Sequence, residues 1–210
     1  MILYDYFRST ACYRVRITLN IKNISYEKKE IHLVNNGGEH HTPQYHQINP
    51  QDLVPSLDVG EGQILNQSLA IIEYLEECYP DVPLLPKSPF HRATLRALAL
   101  TVACDMHPLN NLRILNRLKT QFHADETQII EWYHHWLKAG FDAFEERLKH
   151  LERSKALCFG NEVSLADICL IPQVYNAHRF KFPMADYPLI NEINEYCLTL
   201  PAFKNAAPEA

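Results

Sequence analysis

Ser9 and Thr10 lie in the stretch "YDYFRSTACYRVRITLN", where an apolar run suited to a strand meets a run with helical spacing. Hydroxyls at such a junction have two uses. They can cap the helix by accepting from the N–H groups of its first turn. They can also act with the partial positive charge of the helix N-terminus to hold an anion or a thiolate. Other reactive side chains are abundant but scattered. The six cysteines form no C-x-x-C pair, so free thiols are expected. Among the eleven histidines, His40-His41 and His134-His135 are adjacent pairs without ligands at metal-site spacing, so no metal centre is expected.

The elements that must position these groups are legible in outline. "ILYDYF" reads as a strand, and Cys12, Val15 and Leu19 then form an apolar stripe at helical spacing. A weaker strand candidate, "SYEKKEIHL", precedes a polar loop whose Gly37-Gly38 and Pro43 argue against regular structure. "LVPSLDV" and "QIL", separated by Gly60-Glu61-Gly62, read as a hairpin with Pro55 at a position needing special backbone geometry. From about Gln67 to Cys78 an amphipathic helix is expected, with Leu69, Ile72 and Leu75 on one side.

The proline-rich segment "YPDVPLLPKSP" cannot be one helix and reads as a linker, and everything beyond it has helical periodicity. The expected organisation is a first domain over 1–82, a linker over 83–89 and a helical domain over 90–210. In "ETQIIEWYHHWLKAGFDAFEERLKHLE" the residues Tyr133, Trp136, Phe141, Phe144, Leu148 and Leu151 recur at core spacing. Ser164 followed by Asp167 is a capping box, which makes Asp167 a folding residue first.

Composition narrows the function classes. With 47% hydrophobic and 21% charged residues in 210, and 13 prolines against 6 glycines, the chain reads as an ordered globular protein able to bury a large core. A net charge of −5 without a concentrated basic face argues against nucleic-acid binding. No apolar run approaches the roughly 20 residues needed to span a bilayer, and the N-terminus has no signal-peptide pattern, so a cytoplasmic protein without a membrane partner is expected.

Taken together, a β-α-β unit, a loop, a valine-proline hairpin, a following helix, a proline-rich linker and a helical domain resemble the glutathione transferase superfamily. The motifs "YFRSTACYRVRITLN", "NPQDLVPSLD", "NQSLAIIEYLEE", "CDMHPLNNLRIL" and "SLADICLIPQVYNAHRF" are similar to those of its zeta class, which contains maleylacetoacetate and maleylpyruvate isomerases. The resemblance covers nearly the whole chain. It implies an α/β thioredoxin-like N-terminal domain, an all-α C-terminal domain and a homodimer.

The resemblance also implies a site. Glutathione would be the cofactor, with Ser9 facing its sulfur. The run Ser9, Thr10, Ala11, Cys12, Tyr13 and Arg14, together with His40, Val54 in a cis Val54-Pro55 peptide, Gln67 and Ser68, would surround it. His107, Asn111, Leu112 and Arg113 would close the site from the helical domain. A free thiol with a reference pKa near 8.5 is mostly protonated at pH 7, so a hydroxyl donor at a helix N-terminus would favour the thiolate. One departure stands out: Ala11 occupies the position where the zeta motif often carries a cysteine. Cys12 is one residue later and, about 100° further round the helix, reads as packing.

The activity implied is cis–trans isomerisation of maleylacetoacetate to fumarylacetoacetate, a step of tyrosine and phenylalanine degradation. Arg8 and Arg179 would hold the diacid's carboxylates, while Arg113 would help with the enolate. The alternatives are maleylpyruvate isomerisation, general glutathione conjugation or dehalogenation, and a transferase-like fold kept for protein interaction.

Overall fold

The computed structural model describes residues 1–208, and the chain divides into two compact units: Met1–Pro83 joined by the segment from Leu200 onward, and Leu84–Thr199.

The first unit begins with β1 (Ile2–Asp5), α1 (Thr10–Ile21) and β2 (Glu27–Glu30), with β2 parallel to β1. The polar loop follows, ending in a short helix, α2 (Pro43–His46). Pro43 was expected to oppose regular structure, but it stands at the first helical position, where its missing N–H has no partner to lose and its φ is already helical. The Thr42 hydroxyl caps this helix, accepting from the Tyr45 N–H at 3.3 Å.

Next come β3 (Ser56–Asp58), β4 (Ile64–Asn66) and α3 (Ser68–Cys78). The sheet order is β2-β1-β3-β4, with β3 antiparallel to both neighbours. The register Ser56↔Asn66 and Leu57↔Leu65 closes the hairpin through Gly60 and Gly62, both at positive φ. This mixed four-stranded sheet with α1 and α3 is the thioredoxin-like arrangement expected of the first domain. Leu3, Val15, Leu19, Leu57, Ile71 and Leu75 form its core, joining one face of the sheet to α1 and α3.

The second unit starts at the buried Leu84 and Leu85. α4 (Pro89–Leu100) runs without a break into a π-helical turn over Thr101–Met106. That turn ends where the His107 N–H donates to the Val102 carbonyl at 2.9 Å. The remaining elements are α5 (Leu112–Phe122), α6 (Glu126–Leu148), α7 (Leu165–Arg179) and α8 (Pro188–Thr199). Tyr133, Phe141, Phe144 and Leu148 are buried as their spacing implied, as is α7 over almost its whole length. Asp167 accepts from the Ser164 N–H and hydroxyl at 2.8 and 2.6 Å and from the Cys158 N–H at 2.8 Å. Burial pushes its carboxyl above the usual range.

The last helix, α9 (Pro201–Lys204), falls in the first unit, although its sequence position suggested the helical domain. The reason lies in α1. Tyr13 Oη, Arg16 Nε and Asn20 Nδ2 donate to the carbonyls of Phe203, Ala206 and Ala202 at 3.2, 2.9 and 3.0 Å.

Candidate functional site

Ser9 is the N-cap of α1. Its backbone is extended (φ −70°, ψ 120°), and its Oγ accepts from the Cys12 N–H at 3.2 Å. The capping bond uses an oxygen lone pair and not the hydroxyl proton. Ser9 is half-buried, whereas Thr10 is fully buried. The N–H groups of the first turn have no i−4 carbonyl to bond. A sulfur beside Ser9 would therefore meet a hydroxyl donor and the positive end of a helix.

Cys12 has no exposed surface, and burial, reinforced by the nearby Asp5 carboxylate, raises its pKa far above the ordinary thiol range. Ala11 is also buried. Tyr13 is turned to the carbonyl of Phe203. Arg14, itself buried, donates from Nη1 to the Ser68 Oγ at 3.3 Å, tying α1 to the N-terminus of α3.

At that second N-terminus, Gln67 adopts φ 69°, ψ 118° and makes no side-chain cap bond. Its Nε2 instead donates to Gln51 Oε1 at 2.8 Å, so the Gln67 side chain does not cap the first turn of α3. Val54 is half-buried and joined to Pro55 by a cis peptide.

A hydrogen-bond network that the sequence reading did not single out holds the segment leading to Val54. The Leu53 carbonyl accepts from both Tyr45 Oη and Asn49 Nδ2 at 2.7 Å. Tyr45 Oη also lies 3.0 Å from the Ser56 Oγ. Asn49 belongs to the quoted "NPQDLVPSLD", and its burial is the signal that the residue pattern alone did not reveal.

His40 is nearly buried and makes no hydrogen bond to Ser9, Val54, Gln67 or Ser68; its ring lies 3.8 Å from that of His41. Desolvation, and then the neighbouring His41, lower its pKa below the ordinary imidazole value. Gly38, at φ 97°, passes so close that any Cβ there would overlap the His40 ring. A recess of about 530 Å³ opens elsewhere in this unit, bordered by Asp5, Arg16, Tyr26 and Lys28, but none of the residues expected to surround glutathione lines it.

In the second unit, Asn111 caps α5 through Oδ1, which accepts from the Arg113 N–H at 3.1 Å. Leu112 and Arg113, in the first turn, are exposed, and His107 is half-buried. α6 pins the turn between them: Trp132 Nε1 donates to the Leu109 carbonyl at 2.9 Å and Asn110 Nδ2 to that of Tyr133 at 3.2 Å. Arg179 is the exposed last residue of α7. Arg8, in the first unit, is exposed as well.

Comparison with known proteins places these features in a family. Residues 3–83 match the model of the glutathione S-transferase N-terminal domain. A probable maleylacetoacetate isomerase of Vibrio cholerae is 49% identical over 100% of this chain and 96% of its own length. Among solved structures, a glutathione S-transferase from Legionella pneumophila is 69% identical, with 100% of both chains covered and a TM-score of 0.89. The holo structure of a maleylpyruvate isomerase, described as a bacterial zeta-class glutathione S-transferase, is 46% identical. It covers 99% of this chain and 97% of that one at a TM-score of 0.96.

Proposed function

The chain belongs to the zeta class of the glutathione transferase family, and from that premise we propose that it is a glutathione-dependent cis–trans isomerase acting on maleylacetoacetate. One observation carries the reading. The hydroxyl of Ser9 stands half-buried at a helix N-terminus, while the neighbouring Cys12 thiol is fully buried, with its pKa raised by that burial. The sulfur that suits this place is that of a bound molecule.

The residues present fit glutathione. Ser9 and the first turn of α1 suit its thiolate, and the N-terminus of α3 at Gln67 and Ser68 suits a carboxylate. Val54 is the candidate for its peptide-like stem. When bound, glutathione would supply a thiolate able to add reversibly to the maleyl double bond and to leave again after rotation about the resulting single bond. Ser9 would lower the cost of keeping that sulfur ionised by donating a hydrogen bond to it. Arg8 and Arg179 are the candidates for carboxylate recognition, because an exposed guanidinium fork suits that group.

Arg113 has a different place. A cation in the first turn of a helix faces the positive end of the dipole, so the fold itself gains nothing from that charge. The role that suits it is to stabilise the negative charge developing on the carbonyl oxygen conjugated to the double bond. His107, Asn111 and Leu112 would border the same region.

A second reading, maleylpyruvate isomerisation, is favoured by the 46% identity and 0.96 TM-score to the maleylpyruvate isomerase. The deciding experiment is turnover of both diacids by the purified protein with and without glutathione. Glutathione-dependent isomerisation supports the proposal, and the larger kcat/KM identifies the substrate. Tight glutathione binding with no turnover of either diacid would overturn it in favour of conjugation, dehalogenation or a binding role.

The class resemblance supports a homodimer and a role in tyrosine and phenylalanine degradation. Six free cysteines are in keeping with a reducing, cytoplasmic setting. Among the described residues no helix is long and apolar enough to cross a membrane.

A further inference from the structure

Arg8 and Arg179 lie far apart in sequence and in different units, yet their immediate surroundings are built alike. Each is exposed, and each lies over the ring of an adjacent phenylalanine: the guanidinium carbon of Arg8 is 5.0 Å from the Phe7 centroid, and that of Arg179 is 5.1 Å from the Phe180 centroid. Among the described residues neither pairs with a carboxylate; Arg179 has only a 3.4 Å bond from Nη1 to Asn176 Oδ1. Arg113 has no ring beneath it among the same residues.

The rings are themselves fixed. Phe180 stacks on Tyr133 with centroids 3.7 Å apart and planes 13° from parallel. A ring that close fills one face, so the guanidinium must occupy the other. The Phe180 carbonyl lies 2.9 Å from His134 Nε2, and its N–H donates to the Asn176 carbonyl at 3.0 Å. Phe7 packs edge-on against Tyr6 with centroids 4.9 Å apart, and its carbonyl accepts from the buried Arg16 at 3.0 Å.

An arginine meant to receive an external carboxylate poses a design problem. An internal carboxylate would orient it but would also occupy its hydrogen-bonding fork, whereas no partner at all would leave a long side chain unrestrained. A π face solves this, because it attracts the cation electrostatically without using any N–H donor. We propose that Phe7 and Phe180 are positioning residues, each holding its own neighbouring arginine, Arg8 or Arg179, ready to receive an external carboxylate. The inference rests on the isomerase reading for the identity of the ligand, but its test does not depend on turnover.

The probe is malonate, a dicarboxylate, titrated calorimetrically into glutathione-saturated protein. Arg179→Ala is expected to weaken malonate about tenfold or more, as loss of a charged carboxylate partner does. Phe180→Leu and Phe7→Leu are expected to weaken it roughly two- to fivefold, the factor an exposed cation–π contact supplies. Phe180→Tyr and Phe7→Tyr keep the π face and should bind as the wild type does. Glutathione affinity should be unchanged in all four. Equal weakening by Leu and Tyr, or a parallel loss of glutathione affinity, would mean a merely structural role and overturn the inference. So would an Arg179→Ala variant that still binds malonate normally. Failure of the isomerase reading would show separately, as wild-type protein that binds malonate and glutathione but turns over no maleyl diacid.

Discussion

Gly140 of α6 lies directly against Met106 at the end of the π-helical turn, so close that a Cβ on residue 140 would overlap the methionine's Cγ and Sδ. Met106 is fully buried and has nowhere to retreat. Gly140→Ala should therefore destabilise the protein despite its gain in helix propensity. Overpacking of this kind costs about 1–3 kcal/mol, to be read as a lower urea midpoint with little change in slope. An unchanged or raised midpoint would show that the π-helical turn yields freely.

Ser9→Ala removes two things at once. Losing the cap costs about 1 kcal/mol of stability. Losing the donor should raise the pKa of bound glutathione, because the ionised sulfur is the form it stabilises. The isomerisation rate should fall by roughly tenfold or more near neutral pH, in line with a charge-assisted hydrogen bond, and the pH–rate profile should move upward. Ultraviolet absorbance of the bound thiolate across a pH series checks this, and Ser9→Thr should retain part of the activity. A profile that stays in place while activity is lost would assign Ser9 to folding alone.

Cys12 should be chemically silent. In the native protein, iodoacetamide should label Cys78 and Cys104, the exposed thiols, well before Cys12, Cys158, Cys169 and Cys197. Cys12→Ala should keep glutathione-dependent turnover while losing on the order of 1 kcal/mol of core packing. Peptide mapping by mass spectrometry reads the first effect and steady-state kinetics the second. Early labelling of Cys12, or loss of turnover in the variant, would restore a catalytic role for this thiol.

His40 gives a pH dependence whose sign is fixed by the direction of its shift. Its pKa is lowered in the folded state, so the unfolded chain binds more protons in the interval below the ordinary value of 6.5. The stability associated with neutral His40 is present above 6.5 and is lost as pH falls towards the lowered value. Urea midpoints of wild type and His40→Gln, measured across this interval, should differ in slope, with the wild type falling more steeply on acidification. Parallel curves would show that burial does not hold His40 neutral.

Asp5 and Arg16 form a buried ion pair, with Nη1 to Oδ1 at 2.5 Å. Arg16 also donates to the carbonyls of Phe7 and Ala206. Asp5→Ala leaves this cation buried without its counter-charge and should cost about 3–5 kcal/mol, seen in denaturant unfolding. A cost below about 1 kcal/mol would mean that water reaches Arg16 in the variant.

What could be read from the residues, and what could not, divides along a physical line. The apolar stripe of Cys12, Val15 and Leu19, the Ser164–Asp167 cap and the glycine-linked hairpin are local periodicities or turn chemistries, and each appears where its pattern placed it. The Tyr45–Leu53–Asn49 network is not a pattern of that kind, because its side chains meet a carbonyl across an irregular loop. Likewise, Arg14 and Arg16 look like surface charges on a helix, yet both are buried: Asp5 and the carbonyls of Phe7 and Ala206 receive the donors of Arg16, and Arg14 reaches Ser68. Periodicity shows which face of a helix is apolar, but the partners that let a charge be buried come from remote segments. The phenylalanine shelves show the same limit, since adjacency in "YFRST" and "AHRF" is visible whereas the stacking on Tyr133 is not.

The carbonyls of Ala202, Phe203 and Ala206, which satisfy donors on α1, have a consequence for how the molecule is made. Residues 200–208 leave the ribosome only after the entire 84–199 unit has been synthesised. The unit translated first is thus completed last, and Tyr13, Arg16 and Asn20 wait with open donors while more than a hundred residues are added. Vectorial synthesis and structural completion run in opposite orders here. A ribosome stalled just short of Leu200 would hold a chain whose later unit has all its residues while its earlier one lacks the α9 segment whose carbonyls receive those donors.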